Sequence, residues 1–277
     1  MALDPHTAVK QELLVRYLDF WVPAALHSAK AATYLDRSGY GPAVAVPVLA
    51  EFADLLAGRE LALLVDGELP ADPGVPGLGV GPAPDDPAAA VRALGRAPVF
   101  AHLAGAAPGG LLAALGGARD GELLLVTDPV PGDPRGELHR AGFGYVVAAE
   151  LVDAGGRAEL LRFATSHARS LERFKDELWA VDQYAGIGYR EPSEPDAVPL
   201  EISYEPHPGP LRRALLTQLA AGEGQSVTEL REFALQHTLY RPADVNRTLA
   251  SLLARGALVR EPERGRLTGA TLVRLAG

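Results

Sequence analysis

Apolar residues first recur at helical spacing. Val9, Leu13, Tyr17 and Phe20 fall near one face of residues 7–29, with Thr7 placed as N-cap and Pro23 placed to end or kink the helix. Short apolar runs then alternate with helical segments. The pattern predicts strands at 32–36, 60–66, 97–105 and 121–129, and helices at 44–57, 87–95, 108–117 and 134–143. Two further apolar runs, 144–153 and 157–166, flank an Ala-Gly-Gly-Arg turn and read as a hairpin, followed by a helix over 168–184. The Pro- and Gly-rich stretch 67–87 reads as a flexible loop.

Apolar strands separated by helical segments imply a mostly parallel, doubly wound α/β sheet covered on both faces, and a terminal hairpin on such a sheet is compatible with a methyltransferase-like fold. This α/β domain is expected over residues 1–185. The Pro- and acid-rich stretch 186–205 reads as a linker. Residues 206–277 form a separate pattern. Helices are expected at 209–223, at 226–238 with a Ser226/Glu229 capping box, and at 241–256 with Val245, Leu249, Leu252 and Leu253 inward and Gly256 as stop. A two-stranded wing over 257–275 completes a C-terminal winged helix-turn-helix.

Composition narrows the chemistry. The 277 residues are 48% apolar and 22% charged, the profile of a globular protein. Cysteine is absent, which excludes disulfides, thiolate zinc sites, iron–sulfur clusters and a cysteine nucleophile. The N-terminal segment has no signal-peptide core and no apolar run is long enough to span a membrane, so a cytoplasmic location is expected. The net charge of −9 is uneven. From Leu200 onward there are ten Arg, no Lys and eight Asp or Glu, a net of +2, whereas the remainder holds 16 basic and 27 acidic residues, a net of −11.

Ligands of open α/β sheets bind outside the carboxyl ends of the strands. Asp36, Asp66, His102 and Asp128 all lie at or near predicted strand ends, so together they are candidate site residues; taken singly, each reads better as a cap for the loop or helix that follows. The Gly77–Gly81 run neither follows a predicted strand nor opens a helix, so it fails as a dinucleotide fingerprint. The seven histidines show no metal-ligand spacing, and no G-x-S-x-G elbow accompanies Ser166–His167. Phe174, Leu178 and Val181, flanked by Trp179, read as core packing, with Lys175 solvated or ion-paired.

The blocks TAVKQELLVRYLDFWVP, YLDRSGYGP, LRFATSHARSLERFKDELWAVD and SVTELREFALQHTLYRPADVNRTLASLLARGAL, in that order, resemble the three-Cys-motif partner family over nearly the whole chain. The resemblance implies a class I S-adenosylmethionine-dependent methyltransferase fold with a C-terminal winged helix. It also implies a partner protein carrying three cysteines and action on or with nucleic acid. It would place the cofactor at Asp36, Gly39, Gly41, Asp66 and Glu68, with Asp128 and Pro129 as the catalytic motif. The chain departs from the family at telling positions. Arg37 stands in place of the first turn glycine, Tyr40 in place of a small residue, Val130 in place of an aromatic and Pro131 in place of glycine. A second reading follows, in which the α/β domain has lost catalysis and serves as a scaffold.

For the winged helix, Arg241, Asn246, Arg247, Ser251 and Arg255 lie off the apolar stripe of the third helix, and Arg264 and Arg266 join Arg260 in the wing. These residue types contact phosphates or base edges. Asp244, Glu261 and Glu263 oppose that use, and docking of a protein stands level with docking of DNA.

Overall fold

The structure is a computed structural model that describes residues 4–130, 132–182, 186–222 and 224–276. Pro131, the last residues of the helix expected over 168–184 and the end of that expected over 209–223 lie outside the described residues. The chain divides into one compact unit reaching to Tyr204 and a second beginning at Glu205.

The first unit is α/β. Helix α1 spans Pro5–Ser28, started by the Asp4 side chain, which accepts from the Thr7 amide at 3.1 Å. Asp4, and not Thr7, is therefore the cap. Pro23 does not end the helix: Trp21, Val22, Ala25 and Leu26 on either side of it are buried, and this burial outweighs the backbone hydrogen bond that proline cannot make.

Strands and helices then follow in the order β1 (Ala31–Arg37), α2 (Gly41–Glu51), β2 (Glu60–Val65), β3 (Leu78–Pro82), α3 (Pro87–Ala93), β4 (Val99–Ala104), α4 (Leu111–Gly117), β5 (Gly121–Thr127), α5 (Gly136–Arg140), β6 (Tyr145–Val152), β7 (Ala158–Thr165), α6 (Ala168–Ala180), β8 (Gly188–Arg190) and β9 (Leu200–Glu201). They build one nine-stranded sheet in the order β3-β2-β1-β4-β5-β7-β6-β8-β9. The first five are parallel neighbours. β7 lies antiparallel between β5 and β6, and β8 antiparallel to β6, so β7 and β8 run against the rest.

Two stretches expected to lack regular structure carry strands. Residues 67–87, read as a flexible loop, contain β3, which pairs with β2 from Leu61↔Leu78 to Val65↔Pro82. Its glycines suit an edge, since a Cβ at Gly79 or Gly81 would meet nothing. Residues 188–190 and 200–201, within the stretch read as a linker, extend the sheet beyond β6. The helix expected at 44–57 begins earlier, at Gly41, and stops at Glu51.

Alternating strand residues face opposite sides. Leu35, Ala101, Leu103, Leu123 and Leu125 pack with α3, α4 and α5. Tyr34, Phe100 and Phe163 face α1 and α6 instead. There Tyr17 of α1 sits edge-on to Phe100, Phe163 and Phe174, with ring centroids 5.3, 4.9 and 5.5 Å away, and Phe163 stacks on Phe174 at 4.1 Å. Each such contact adds about 0.5–1.5 kcal/mol beyond burial, so this cluster fixes α1 and α6 to the sheet. Trp179 packs edge-on against Tyr189. Lys175 is fully buried and not solvated; burial pushes the neighbouring Glu191 carboxyl above its ordinary pKa, and Arg135 and Lys175 only partly offset it.

The second unit holds α7 (Gly209–Ala220), α8 (Val227–His237) and α9 (Pro242–Ala254), with a three-stranded sheet ordered β10 (Gln225–Ser226), β12 (Leu272–Leu275), β11 (Leu258–Glu261). The Ser226/Glu229 capping box starts α8. Gly256, at φ +69°, closes α9 with its amide bonded to the Leu253 carbonyl. Leu211, Leu215, Leu230, Val245, Leu249 and Val273 form its interior. Among the described residues no helix is long and apolar enough to cross a membrane.

Candidate functional site

Register brings the first site together. Asp36 and His102 are opposite each other on parallel neighbours β1 and β4, on the face covered by α1 and α2. Both side chains are fully buried. His102 Nδ1 lies 3.1 Å from Asp36 Oδ2, which also accepts from the Tyr34 hydroxyl. Asp36 Oδ1 accepts from the Ser38 amide at 2.9 Å and the Ser38 hydroxyl at 2.7 Å. Burial by itself would raise the Asp36 pKa, but the hydrogen bonds from His102, Tyr34 and Ser38 outweigh it and hold the carboxyl below its ordinary value.

The turn after β1 folds back over this pair. Ser38 Oγ receives the Gly41 amide at 2.8 Å. Gly39 takes φ +77°, a conformation that other residues rarely adopt. Tyr40 thereby swings its ring edge-on to His102, with centroids 5.0 Å apart and its hydroxyl 2.8 Å from Nε2. In the neutral tautomer that donates Nδ1–H to the carboxylate, Nε2 accepts and the phenol donates. Burial first, then the nearby Asp36 charge, push the Tyr40 pKa far up, so this hydroxyl stays neutral and is no general base. From α1, Lys10 Nζ stands 5.0 Å from the Tyr40 ring centroid and Gln11 Nε2 reaches the Tyr40 carbonyl at 3.4 Å. Lys10 is in turn paired with Glu159 at 2.5 Å. Gly41 has no room for a side chain, because a Cβ there would lie 1.9 Å from Asp36 Oδ2.

Of the remaining strand-end candidates, Asp66 adjoins Asp36 through its backbone amide, which bonds the Asp36 carbonyl at 3.0 Å, but its side chain points to solvent. Asp66 is exposed at the end of β2 and paired with Arg37 at 2.8 Å; Glu68 is exposed just beyond. Asp128 and Pro129 are exposed past β5, which is the fifth strand because β3 precedes it, and β4 separates β5 from β1. Asp128 therefore does not adjoin Asp36. Tyr40, the residue that completes the buried network, was visible in the sequence only as a bulky intrusion in the turn. Among the described residues no group of three or more His, Cys, Asp or Glu side chains could hold a metal ion.

In the second unit, Arg241 is buried and bonded through Nε and Nη2 to the two oxygens of Asp244, both at 2.9 Å. It is thus a helix-capping group and not a presented cation. Asn246 accepts from Arg231 through Nε at 3.1 Å and Nη2 at 2.9 Å. Arg247 is exposed but paired with Glu205 at 3.2 Å. Ser251, Arg255, Arg264 and Arg266 are exposed, and these three arginines form no ion pair among the described residues. Arg260 bonds the carbonyls of Glu263 and Gly265 and so braces the turn between β11 and β12. No protein-family model matches this chain, and no curated protein matches it.

Proposed function

We propose that the protein is a non-catalytic scaffold built on a methyltransferase-like α/β unit of the three-Cys-motif partner type. Its C-terminal unit is then a winged helix-turn-helix that docks a partner protein. The reversed hairpin at the end of a parallel sheet supports the methyltransferase-like reading of the first unit. Three helices followed by a hairpin support the winged-helix reading of the second.

One observation carries the loss of catalysis. The turn that would receive S-adenosylmethionine is occupied by the chain's own Tyr40–His102–Asp36 network. Both oxygens of Asp36 already have donors, and Arg37 takes Asp66. These residues do not fit the cofactor as they stand. Calorimetry with S-adenosylmethionine and S-adenosylhomocysteine tests the reading: neither ligand is expected to bind at millimolar concentration. Micromolar binding of either would overturn it.

A second reading, DNA docking by the same unit, is favoured by the exposed Arg255, Arg264 and Arg266. It is opposed by the internal engagement of Arg241 and Asn246. Replacing the three exposed arginines with Ala separates the two, because DNA docking requires both a weaker affinity and a flatter salt dependence in the variant.

A further inference from the structure

At the edge of the sheet away from Asp36, a cavity of about 720 Å³ opens between α1 and α6, at the amino ends of β4 and β5. Its volume lies in the range of small-molecule sites. Phe20, Trp21, Leu55 and Pro98 give it an apolar wall. Two carboxyl groups line it. Asp120 stands near the mouth, paired with His167 at 2.8 Å. Glu122 is deeper, only 4% exposed, and takes part in no ion pair among the described residues.

The surroundings of Glu122 are unusual for a structural carboxyl. It accepts from the Tyr17 hydroxyl at 2.5 Å and the Thr165 hydroxyl at 3.3 Å. Those two donors occupy two of the roughly four acceptor positions that a carboxylate offers. Acceptor capacity is left on a carboxyl that lines the same cavity as Phe20 and Trp21, with no ammonium or guanidinium among the described residues bonded to the acid. A buried acid without a cation destabilises a fold relative to an apolar residue of like volume. The basic residues that line this cavity, His27, His167 and Arg169, are exposed.

We propose that this cavity binds a small organic cation, a primary amine on an apolar or aromatic body, with the ammonium on Glu122 and the body against Phe20 and Trp21. Aromatic faces beside a carboxylate favour a cation over a neutral isostere. The site is independent of the Tyr40 network, since it lies at the other end of the strands. Burial pushes the Glu122 carboxyl above its ordinary pKa, and an ammonium alongside would pull it back down, so amine binding tightens as the pH rises through that pKa.

The test uses the full chain and three probes of similar size: phenethylamine, 2-phenylethanol and phenylacetate. The chain has two tryptophans, so the Trp21 indole N–H is one of two signals in a nitrogen-edited NMR spectrum. Phenethylamine is expected to shift the Trp21 signal and to bind at least about tenfold more tightly than the alcohol, with phenylacetate the weakest. Glu122→Gln should bring the amine and alcohol affinities together. Ala24→Trp, at an exposed position of the wall, should abolish binding of all three. Equal binding of amine and alcohol to the unaltered chain, or no movement of Trp21, would overturn the proposal. So would an amine preference that survives Glu122→Gln in a folded variant. Should that variant not fold, the Ala24→Trp and Trp21 measurements decide.

Discussion

The Tyr40 hydroxyl lies 2.8 Å from Nε2 of His102, so the turn leaving β1 is bonded back onto β4, the strand that β1 pairs with. A phenol, an imidazole and the Asp36 carboxylate form one chain of hydrogen bonds at the carboxyl edge of the sheet. Removing the terminal hydroxyl with Tyr40→Phe keeps the ring contact and deletes one bond. The variant should lose about 1 kcal/mol of stability in urea unfolding, with no change in the slope of the transition.

Asp36→Asn should be far more costly. The amide turns one acceptor oxygen into a donor that faces donors from Tyr34, His102 or Ser38. Breaking a buried charged network in this way costs about 3 kcal/mol or more. The loss depends on pH. Because the folded carboxyl titrates below its unfolded value of 3.8, its contribution is fully present above that value and disappears as the pH falls through the folded pKa. Unfolding curves of the two proteins should therefore converge in strong acid, and a gap that stayed constant down to that range would contradict this account.

Gly41→Ala reverses an ordinary rule. In a helix, Ala is better than Gly by about 1 kcal/mol. Here the added methyl would press on Asp36 Oδ2 and on His102 Nδ1, which lie 1.9 and 2.9 Å from its ideal position. The melting temperature should fall and not rise. The histidine ring signals of His102 should shift with it.

Glu122 has the opposite linkage to Asp36. Burial raises its folded pKa above the unfolded value of 4.5, so the folded state holds a proton that the unfolded chain releases. Stability from this group is present below 4.5 and declines as the pH rises through the folded pKa. Glu122→Gln removes the titration, so stability should vary less with pH above 4.5 in the variant. A slope identical to the parent's would contradict the assignment.

Ser226→Ala should destabilise the second unit by about 1 kcal/mol, the worth of an N-cap. The Ser226 hydroxyl accepts the Glu229 amide at 3.2 Å, and the Glu229 carboxylate takes the Ser226 amide at 2.7 Å. Hydrogen exchange resolved along α8 would locate the loss in its first turn.

Much of the element order was legible because period and punctuation agreed. β1, β2, β4, β5 and the β6–β7 hairpin are apolar runs bounded by turn residues, and α8 begins at its capping box. β3 was not, because Leu78-Gly-Val-Gly-Pro has neither alternation nor β-branched density; pairing to β2 makes it a strand. Pro23 misled for a similar reason, as tertiary packing on both sides outweighs a local breaker. At the site, Asp36 and His102 were both visible as strand-end residues. Their opposition depends on the register between β1 and β4, and the position of Tyr40 over them depends on a left-handed Gly39, neither of which can be read from spacing along one chain. Lys175 read as solvated or ion-paired, and its helix carries it into the interior, which excludes the solvated alternative.

The two margins of the large sheet have a consequence for association. At one side stands β3, five residues with two glycines and a terminal proline; at the other stands β9, two residues long. Unpaired backbone groups at a sheet margin recruit strands from other molecules when the margin is long, flat and apolar. Neither margin here offers that template. Copies of this chain at high concentration should therefore not polymerise strand to strand through the large sheet, leaving its side-chain surfaces, and not its main-chain hydrogen bonding, as that unit's route to assembly.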